Sequence, residues 1–252
     1  MNRPLFSVIN TAIRQDRYEA FYQSLSYLAK VPFEVVFAGD KPPLKPMPSN
    51  FRYIETSVKP VQCLEITARK ATGEYLIPVG DDQNFSENYL NKMSIYVSRL
   101  ADRKIFLSSR YSLEGVMHDD YLTFDPALPD SPLVGIGIVV KKEVWHELGG
   151  VDSRFVAAFP DVDMQMRLFE AGYTIFITPD CVINEVKPTN SRTLFRQTAK
   201  SERIFLNSLW VNENGFSKSR LSSVESFDDF EILKRSQGNT EATGKNGSRS
   251  WS

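Results

Sequence analysis

The sequence predicts an α/β fold of the Rossmann-like type, with a mostly parallel central sheet and helices on both faces. In the first half, short apolar runs alternate with amphipathic stretches in the order β-α-β-β-α-β. Each run is followed by polar or acidic residues, as is typical of strands that end at a binding site. With 252 residues, of which 42% are hydrophobic, the chain can bury the core of such a fold.

Local composition assigns the elements of the first half. Phe33–Ala38 is rich in β-branched and aromatic residues, which favours a strand, whereas Phe21, Leu25 and Leu28 form one helical stripe. The prolines between positions 42 and 48 exclude regular structure from the following loop. The predicted elements are strand 5–10, helix 18–30, strand 33–38, strand 51–56, helix 61–71 and strand 75–79.

The second half is less regular. Prolines at 126, 129 and 132 favour a loop over 109–132, and the chain from Gln237 onward is rich in Gly, Ser, Asn and Thr, which predicts disorder. The predicted elements are strand 104–108, strand 135–140 leading into 141–148, helix 161–171, strand 173–177 and helix 191–211.

Charge and cysteine content limit the class of protein. The formal net charge is −1, so no overall field favours nucleic acid or an anionic membrane as a partner. Cys63 and Cys181 are far apart and outside any metal-ligand spacing, and are expected to be buried, reduced thiols. No apolar run is long enough for a signal peptide or a membrane span. We therefore expect a cytoplasmic protein.

Polar residues follow three of the predicted strands directly: Asn10–Thr11, Gly39–Asp40 and Asp81–Asp82. Ligands of open α/β sheets bind beyond the carboxyl ends of the strands, so these residues predict one crevice. The adjacent carboxylates Asp81 and Asp82 need a cation or solvent, and Mg²⁺ or Mn²⁺ takes one or two such ligands beside phosphate oxygens. A solvated Gly-Asp-Asp turn is the alternative.

Asp161 and Asp163 begin a predicted helix, where an acidic residue can serve as a catalytic base or simply as a helix cap. The helix dipole favours the ionised carboxylate at this place. His118 and His146 are weaker candidates, because neither lies in a metal-ligand spacing. The sequence contains no Walker-type phosphate loop, no Gly-x-Gly-x-x-Gly fingerprint and no Gly-x-Ser-x-Gly motif.

Three stretches resemble the inverting family 2 glycosyltransferases of the GT-A fold, over roughly residues 5–188. FSVINTAIRQD with EVVFAGD is similar to the nucleotide-binding start of that family, and ATGEYLIPVGDDQNFSENYL to its acidic motif. The most specific stretch is GIGIVVKKEVWHELGGVDSRFVAAFPDVDMQMRLFEAGY, with an acceptor-side helix, a Gly-Gly-x-Asp turn and an acidic helix start. The sequence departs from the family at Gly80, where many members carry Asp, and at Pro160, where Glu is usual.

The resemblance implies a role for each matching residue. Asp82 would bind the metal, Mn²⁺ or Mg²⁺, and Asp81 would face the ribose or assist the metal. Asp40 would read the nucleotide base, flanked by Asn10 and Thr11. The remaining implied residues are Asp161, the general base on the acceptor hydroxyl, and Glu185, which stands where many members place a metal-binding His.

The implied reaction moves a sugar from a UDP-, GDP- or dTDP-linked donor to a glycan or other hydroxyl acceptor, with inversion, as in polysaccharide biosynthesis. The implied domain covers 1–215, with a nucleotide-sugar half at 1–100, an acceptor half at 101–190 and a helix at 191–215; 216–252 would be a partly disordered extension. Tyr121, Phe124, Trp145 and Phe159 are either sugar-stacking or packing aromatics. Two alternatives stay open: a sugar-nucleotide pyrophosphorylase, and a catalytically silent nucleotide- or glycan-binding module.

Overall fold

The computed structural model describes residues 3–118, 122–124, 131–186, 193–212, 215–216, 224–229 and 232. The helices are α1 (Tyr18–Ser26), α2 (Pro60–Lys70), α3 (Tyr89–Leu100), α4 (Lys142–Glu147), α5 (Pro160–Glu170) and α6 (Thr193–Trp210). The strands are β1 (Phe6–Thr11), β2 (Phe33–Gly39), β3 (Phe51–Glu55), β4 (Tyr75–Pro78), β5 (Gln83–Phe85), β6 (Ile105–Leu113), β7 (Val116–His118), β8 (Leu122–Thr123), β9 (Leu133–Val134), β10 (Ile136–Lys141), β11 (Thr174–Glu185), β12 (Val211–Asn212) and β13 (Gly215–Phe216).

The central sheet has the strand order β3-β2-β1-β4-β10-β6-β11-β5, with β7 paired to β6. Strands β1 to β4 run parallel, and β11 runs parallel to β6. Strand β10 is antiparallel to both β4 and β6, and so joins the two parallel halves. The predicted α/β class with a mostly parallel sheet is confirmed.

The register brings the ends of the strands to one edge of the sheet. Thr11 pairs with Ala38, and Ile9 pairs with Pro78, so β1, β2 and β4 end side by side. Since β10 runs in the opposite direction, with Val140 opposite Leu76, its first residue lies at that same edge. The residues that precede β10 and those that follow β1, β2 and β4 therefore share one side of the molecule.

Helices cover both faces of the sheet, as the sequence predicts. On one face, α1 and α3 contribute Phe21, Leu25 and Met93 to a buried cluster with Phe6 and Val8 of β1. On the other face, residues of α2, α4, α5 and α6 form a second buried cluster. Alternate residues of β1 therefore face opposite cores, which is the period of a strand buried on both sides. The two described pieces of the C-terminal region, 224–229 and 232, add Phe227 and Ile232 to the second cluster.

Most predicted boundaries differ from the observed ones by a few residues, but several differences are larger. Helix α1 ends at Ser26 rather than at residue 30, because the backbone of Tyr27 is extended, with ψ 118°, and Leu28 then adopts a left-handed backbone with φ 57°. Helix α3 was not predicted. The predicted loop at 109–132 is wrong where the structure describes it, because β6 continues to Leu113 and β7 follows.

The extension of β6 depends on a partner far along the chain. Residues 110–113 pair with Val182–Glu185 of β11, which continues past the predicted end at residue 177 through an irregularity in register. The polar sequence of β6 gives no local sign of this pairing. The predicted disorder beyond residue 237 concerns residues that lie outside the described ones. Within the described ranges, no helix combines the length and apolar character needed to cross a bilayer.

Candidate active site

The segment after β1 is tied to its neighbours at the common edge of the sheet. The backbone N–H of Ala12 donates to the carbonyl of Ala38, at 2.9 Å, and the Thr11 hydroxyl donates to the carbonyl of Pro60. Thr56 donates through its N–H to the carbonyl of Gly39, at 2.8 Å. These bonds join the ends of β1, β2 and β3 to the start of α2. Thr11 therefore lies at the predicted edge, with its hydroxyl engaged by the backbone.

Asp81 is a buried carboxylate that organises the turn after β1. Its Oδ2 accepts hydrogen bonds from the backbone N–H groups of Ile13 and Arg14, each at 2.7 Å, and the residue is 2% exposed. Charge-assisted bonds of this kind are stronger than neutral ones. Asp81 thus fixes the position of the turn against the end of β4, across 68 residues of sequence for Ile13.

A single guanidinium bridges both members of the acidic pair. Arg14 donates from Nη1 to Asp81 Oδ1 and from Nη2 to Asp82 Oδ2, the latter at 2.6 Å. Arg14 was not predicted as a site residue. The sequence does contain one indication of this role for Arg14. Two adjacent buried carboxylates require a cation, and Arg14 closely follows β1 at the same edge. The acidic pair is therefore already neutralised in part by the protein itself.

Glu185 lies beside the acidic pair. It is opposite Gln83 in the β5–β11 pairing, and the N–H of the next residue, Val186, donates to the Asp82 carbonyl at 3.0 Å. The Tyr111 hydroxyl donates to Glu185 Oε2 at 3.2 Å. Burial, the charge and hydrogen bond of Glu185 and then the charge of Asp82 raise the pKa of Tyr111 to about 12. Both carboxylates therefore act on the same phenol.

The carboxylate oxygens at this edge of the sheet suit a hard divalent ion that also binds substrate phosphate and water. No group of three or more His, Cys, Asp or Glu able to hold a metal occurs among the residues that the structure describes. Asp81 is engaged by two backbone N–H groups and by Arg14. Asp82 pairs with Arg14 through Oδ2, and Glu185 accepts from Tyr111 through Oε2, so these two carboxylates are the remaining oxygen donors beside each other. Mg²⁺ and Mn²⁺ suit a site with one or two carboxylates when a substrate phosphate and water supply the remaining ligands. The residues present fit an ion of that kind.

Asn10 and Asp40 carry buried polar atoms that lack a hydrogen-bond partner within the described part of the chain: Asn10 Nδ2 and Asp40 Oδ1. They stand at the ends of the adjacent strands β1 and β2. Unsatisfied buried groups of this kind are uncommon and call for an explanation, such as a ligand. Burial and then the charge of Asp40 raise the pKa of the Cys63 thiol in α2.

Asp161 is brought to the same edge through Gln165, one helical turn later in α5. Gln165 Oε1 accepts from the N–H of Gly135, at 2.6 Å, and its Nε2 donates to the carbonyls of Gly135 and Asp161, at 3.1 and 3.2 Å. Gly135 directly precedes β10, whose first residue lies at the edge where β4 ends. The start of α5 is therefore fixed beside the strand ends.

The environment of Asp161 opposes the effect that the helix dipole alone predicts. Burial raises the pKa of its carboxyl, although hydrogen bonds from the N–H groups of Val162 and of Asp161 itself lower it in part. Asp163 has a different role. It is fully buried, and its carboxylate binds Arg167 Nε at 3.0 Å and Trp210 Nε1 at 2.9 Å. Asp163 thus joins α5 to α6 and has a structural role.

The aromatic and histidine candidates are mostly structural. Trp145 is 0% exposed, with its indole N–H donating to Glu65 at 3.3 Å, and Phe124 is 1% exposed, so both pack in the core. Phe159 is half-buried beneath a guanidinium. The exposed His118 lies in β7, whereas Asp119, Asp120 and Tyr121 are outside the described residues. His146 is exposed in α4, and both cysteines are buried and free, as predicted.

The layout of the strands defines the fold. The first half is a parallel sheet whose strands end in acidic residues. An antiparallel strand joins it to a second half, in which a helix begins with acidic residues. This is the arrangement of GT-A glycosyltransferases. GalNAc-T7, crystallised with UDP, GalNAc and Mn²⁺, matches with a TM-score of 0.63 at 13% identity, over 84% of this chain and 49% of that chain. The present chain therefore spans about half the length of the GalNAc-T7 chain.

Structures of S. aureus TarS 1–349 are also similar. The complex with UDP matches with a TM-score of 0.57 at 15% identity, over 91% of this chain and 71% of that one. The complex with UDP-GlcNAc matches with a TM-score of 0.55 at 13% identity, over 94% and 74%. At these identities the likeness establishes the fold, and the fold is GT-A.

The family resemblance is also confirmed at the level of sequence. Residues 116–223 match the family described as Glycosyl transferase family group 2. No curated protein matches the sequence. The matched segment includes α5 with Asp161 and β11 with Glu185, and it contains the stretch from Gly135 to Tyr173 that carries the resemblance.

Proposed function

We propose that this chain is an inverting glycosyltransferase that moves a sugar from a nucleotide-diphosphate donor to an acceptor hydroxyl. The observation that carries the proposal is the gathering of separate polar groups at one sheet edge. Asn10 and Asp40 offer unsatisfied atoms, Asp82 and Glu185 offer oxygen ligands, and Asp161 offers a base. The expected domain, residues 1–215 with a nucleotide-sugar half at 1–100, is part of this proposal.

Asn10 and Asp40 would bind the nucleotide base. Asn10 Nδ2 is a hydrogen-bond donor and Asp40 Oδ1 an acceptor, and neither has a partner among the described residues. A base that presents one carbonyl and one ring N–H satisfies both atoms, and uracil, thymine and guanine all have this pattern. UDP is the nucleotide in the GalNAc-T7 and TarS crystals. On that likeness alone we favour a UDP-sugar over GDP- and dTDP-linked donors.

Asp82, with Glu185 beside it, would hold Mn²⁺ or Mg²⁺. When bound, such an ion supplies positive charge that stabilises the diphosphate as it leaves. The protein would add charge of its own, because the Arg14 guanidinium stands against Asp82 at 2.6 Å. Asp81 would act on the donor only indirectly. Its carboxylate accepts hydrogen bonds from the N–H groups of Ile13 and Arg14 and so fixes the turn after β1.

Asp161 would be the general base. It would remove the proton of the acceptor hydroxyl while the oxygen attacks the anomeric carbon from the face opposite the leaving diphosphate, which inverts the configuration. A positioned base accelerates such a step by about 10²–10⁴-fold. Burial raises the pKa of Asp161, and a carboxylate with a raised pKa is a stronger base than an exposed one.

A catalytically silent nucleotide-binding module is the second candidate. One observation favours it: Arg14 already pairs with both Asp81 and Asp82, so a cation is not required to neutralise them. No observation favours a pyrophosphorylase. A thermal-shift screen of UDP, GDP, dTDP and their sugars, with and without Mn²⁺, tests binding, because a ligand that binds the folded state raises its melting temperature. Release of nucleotide from the sugars that bind, beginning with UDP-GlcNAc, separates the enzyme from the silent module.

A further inference from the structure

The loop that leads into α5, residues 152–159, is bound by one side chain of α6. Glu202 accepts hydrogen bonds from three successive backbone N–H groups, those of Val156, Ala157 and Ala158. The Ala157 nitrogen lies 3.2 Å from each carboxylate oxygen, and the Ala158 nitrogen lies 2.6 Å from Oε2. Such charge-assisted bonds are short and strongly directional.

Glu202 occupies an unusual position for an acidic residue. It is 6% exposed, and burying a carboxylate costs free energy unless hydrogen bonds compensate the lost hydration. The loop N–H groups supply that compensation, and they gain a partner in return. Because the three donors are consecutive in sequence, one carboxylate fixes the backbone direction over the whole segment 156–158.

Two further contacts hold the same loop. The carbonyl of Val156 accepts from the N–H of Val61 at the start of α2, at 3.1 Å. The Arg203 guanidinium, next in sequence to Glu202, lies 4.9 Å from the centre of the Phe159 ring. Phe159 has a left-handed backbone with φ 62°, which a non-glycine residue adopts only when its surroundings impose it. Pro160 and Asp161 follow directly in sequence. The contacts made by Glu202 and Arg203, which we call the clamp, therefore act on the residues that orient the Asp161 carboxylate.

We propose that Glu202 is a positioning residue for Asp161: its carboxylate fixes the loop at Val156–Ala158 and thereby sets where the base meets the acceptor hydroxyl. The proposal rests on the proposed function, in which Asp161 is the base. Among the residues that the structure describes, the hydrogen bonds of Glu202 all go to the loop at Val156–Ala158, and none goes to the strand ends that would bind the donor. A misplacement of a reacting group by about 1 Å can cost about 10²-fold in rate. Loss of the clamp should therefore impair turnover and spare donor binding.

The test is Glu202→Gln, compared with Glu143→Gln as a control that removes one carboxylate from an exposed position of α4. The glutamine has the size of glutamate, but its NH₂ group faces backbone donors and cannot accept from them. With UDP-GlcNAc, or the panel sugar that the wild type turns over, we expect kcat to fall about 10–100-fold at an unchanged KM for the donor. Amide hydrogen exchange at residues 156–158 should become faster, and the control should change neither quantity.

The outcomes separate the inference from the function on which it rests. A wild-type protein that releases nucleotide from no sugar of the panel refutes the proposed function. If the wild type is active, an unchanged kcat in Glu202→Gln overturns the role of Glu202, and so does a parallel loss of donor affinity. Should Glu202→Gln fail to fold, Glu202→Asp keeps the charge but withdraws the oxygens by one methylene. The same loss of kcat at constant KM is then expected, and equal kcat overturns the proposal.

Discussion

Arg14 and Asp82 form an ion pair at the centre of the candidate site, with Nη2 of the arginine 2.6 Å from Oδ2 of the aspartate. The same guanidinium also contacts Asp81, so a protein cation stands where a divalent ion is expected to act. The two side chains are 14% and 15% exposed, which leaves them open to a ligand at the sheet edge. Binding of a metal at Asp82 must therefore compete with Arg14 or rearrange it.

Replacing Arg14 with Gln should strengthen the binding of Mn²⁺ in the absence of nucleotide. The substitution leaves two adjacent carboxylates without their cation, and a hydrogen bond to a charged group contributes about 1.5–3 kcal/mol. Mn²⁺ affinity should rise about 10–100-fold, as measured by the loss of the free Mn²⁺ signal in electron paramagnetic resonance. Arg99→Gln, an exposed substitution in α3, is the charge-matched control. Equal Mn²⁺ affinity in wild type and Arg14→Gln would show that the guanidinium does not compete with the metal.

Asp82→Ala should abolish the Mn²⁺-dependent part of UDP binding and leave the fold intact. Arg14 keeps its partner Asp81 in this variant, so the turn after β1 retains its bonds. Calorimetry with UDP and Mn²⁺ measures the affinity, and the melting temperature reports the fold. Unchanged affinity in Asp82→Ala would remove this residue from the site.

Asp81→Ala should behave differently, because Asp81 is a structural carboxylate first. Its loss leaves the N–H groups of Ile13 and Arg14 without their acceptor, at a cost of about 1–3 kcal/mol for each unsatisfied buried group. We expect a lower midpoint of urea unfolding than in Asp82→Ala. Equal midpoints in the two variants would contradict this division of roles.

Asp161→Asn should bind the donor normally and lose transfer by at least about 10²-fold. In the wild type the base must be deprotonated, so kcat/KM should fall as the pH drops through the pKa of Asp161. Burial raises that pKa, which places this acidic limb above the ordinary aspartate value of 3.8. A pH profile of nucleotide release measures the limb, and its survival in Asp161→Asn would assign it to another group.

The same substitution should stabilise the fold, whereas Asp163→Asn should destabilise it. Folding raises the pKa of the Asp161 carboxyl, so the protonated form stabilises the folded state at low pH, and this stabilisation is lost as the pH rises through the pKa of the folded state. At neutral pH the carboxylate is ionised, and its burial costs free energy of folding. Asp161→Asn removes that cost. Asp163 instead forms a buried pair with Arg167, and breaking such a pair costs about 3–5 kcal/mol. The midpoint of urea unfolding at neutral pH measures both effects. If it shifts in the same direction for Asp161→Asn and Asp163→Asn, the opposite roles of the two residues in stability are contradicted.

The sequence was sufficient to predict the edge of the sheet where the candidate site lies. Strands β1, β2 and β4 are short apolar runs, and their polar ends at Asn10, Asp40 and Asp82 mark the carboxyl edge without reference to other parts of the chain. The family resemblance then added Asp161 and Glu185, which no local pattern distinguishes from a helix cap and a strand end.

The remainder depends on contacts between residues that are distant in sequence. Arg14 meets Asp82 across 68 positions, and Glu202 meets Val156 across 46. The extension of β6 needs β11 as its partner. These pairings follow from the packing of the whole fold and leave no signature in the local sequence. Helix α3 is the exception, because its buried stripe, which includes Leu90, Met93 and Val97, has a helical spacing that is visible in the sequence.

The most direct test of the central claim is the rate of UDP release from UDP-GlcNAc and the other UDP-sugars of the panel, measured with wild-type protein, with water and a set of glycan hydroxyls as sugar acceptors, in the presence and absence of Mn²⁺. We predict release that requires the metal and is lost in Asp161→Asn, although that variant still binds UDP. Binding of UDP without release from any nucleotide sugar would contradict the assignment as a glycosyltransferase and favour the silent module.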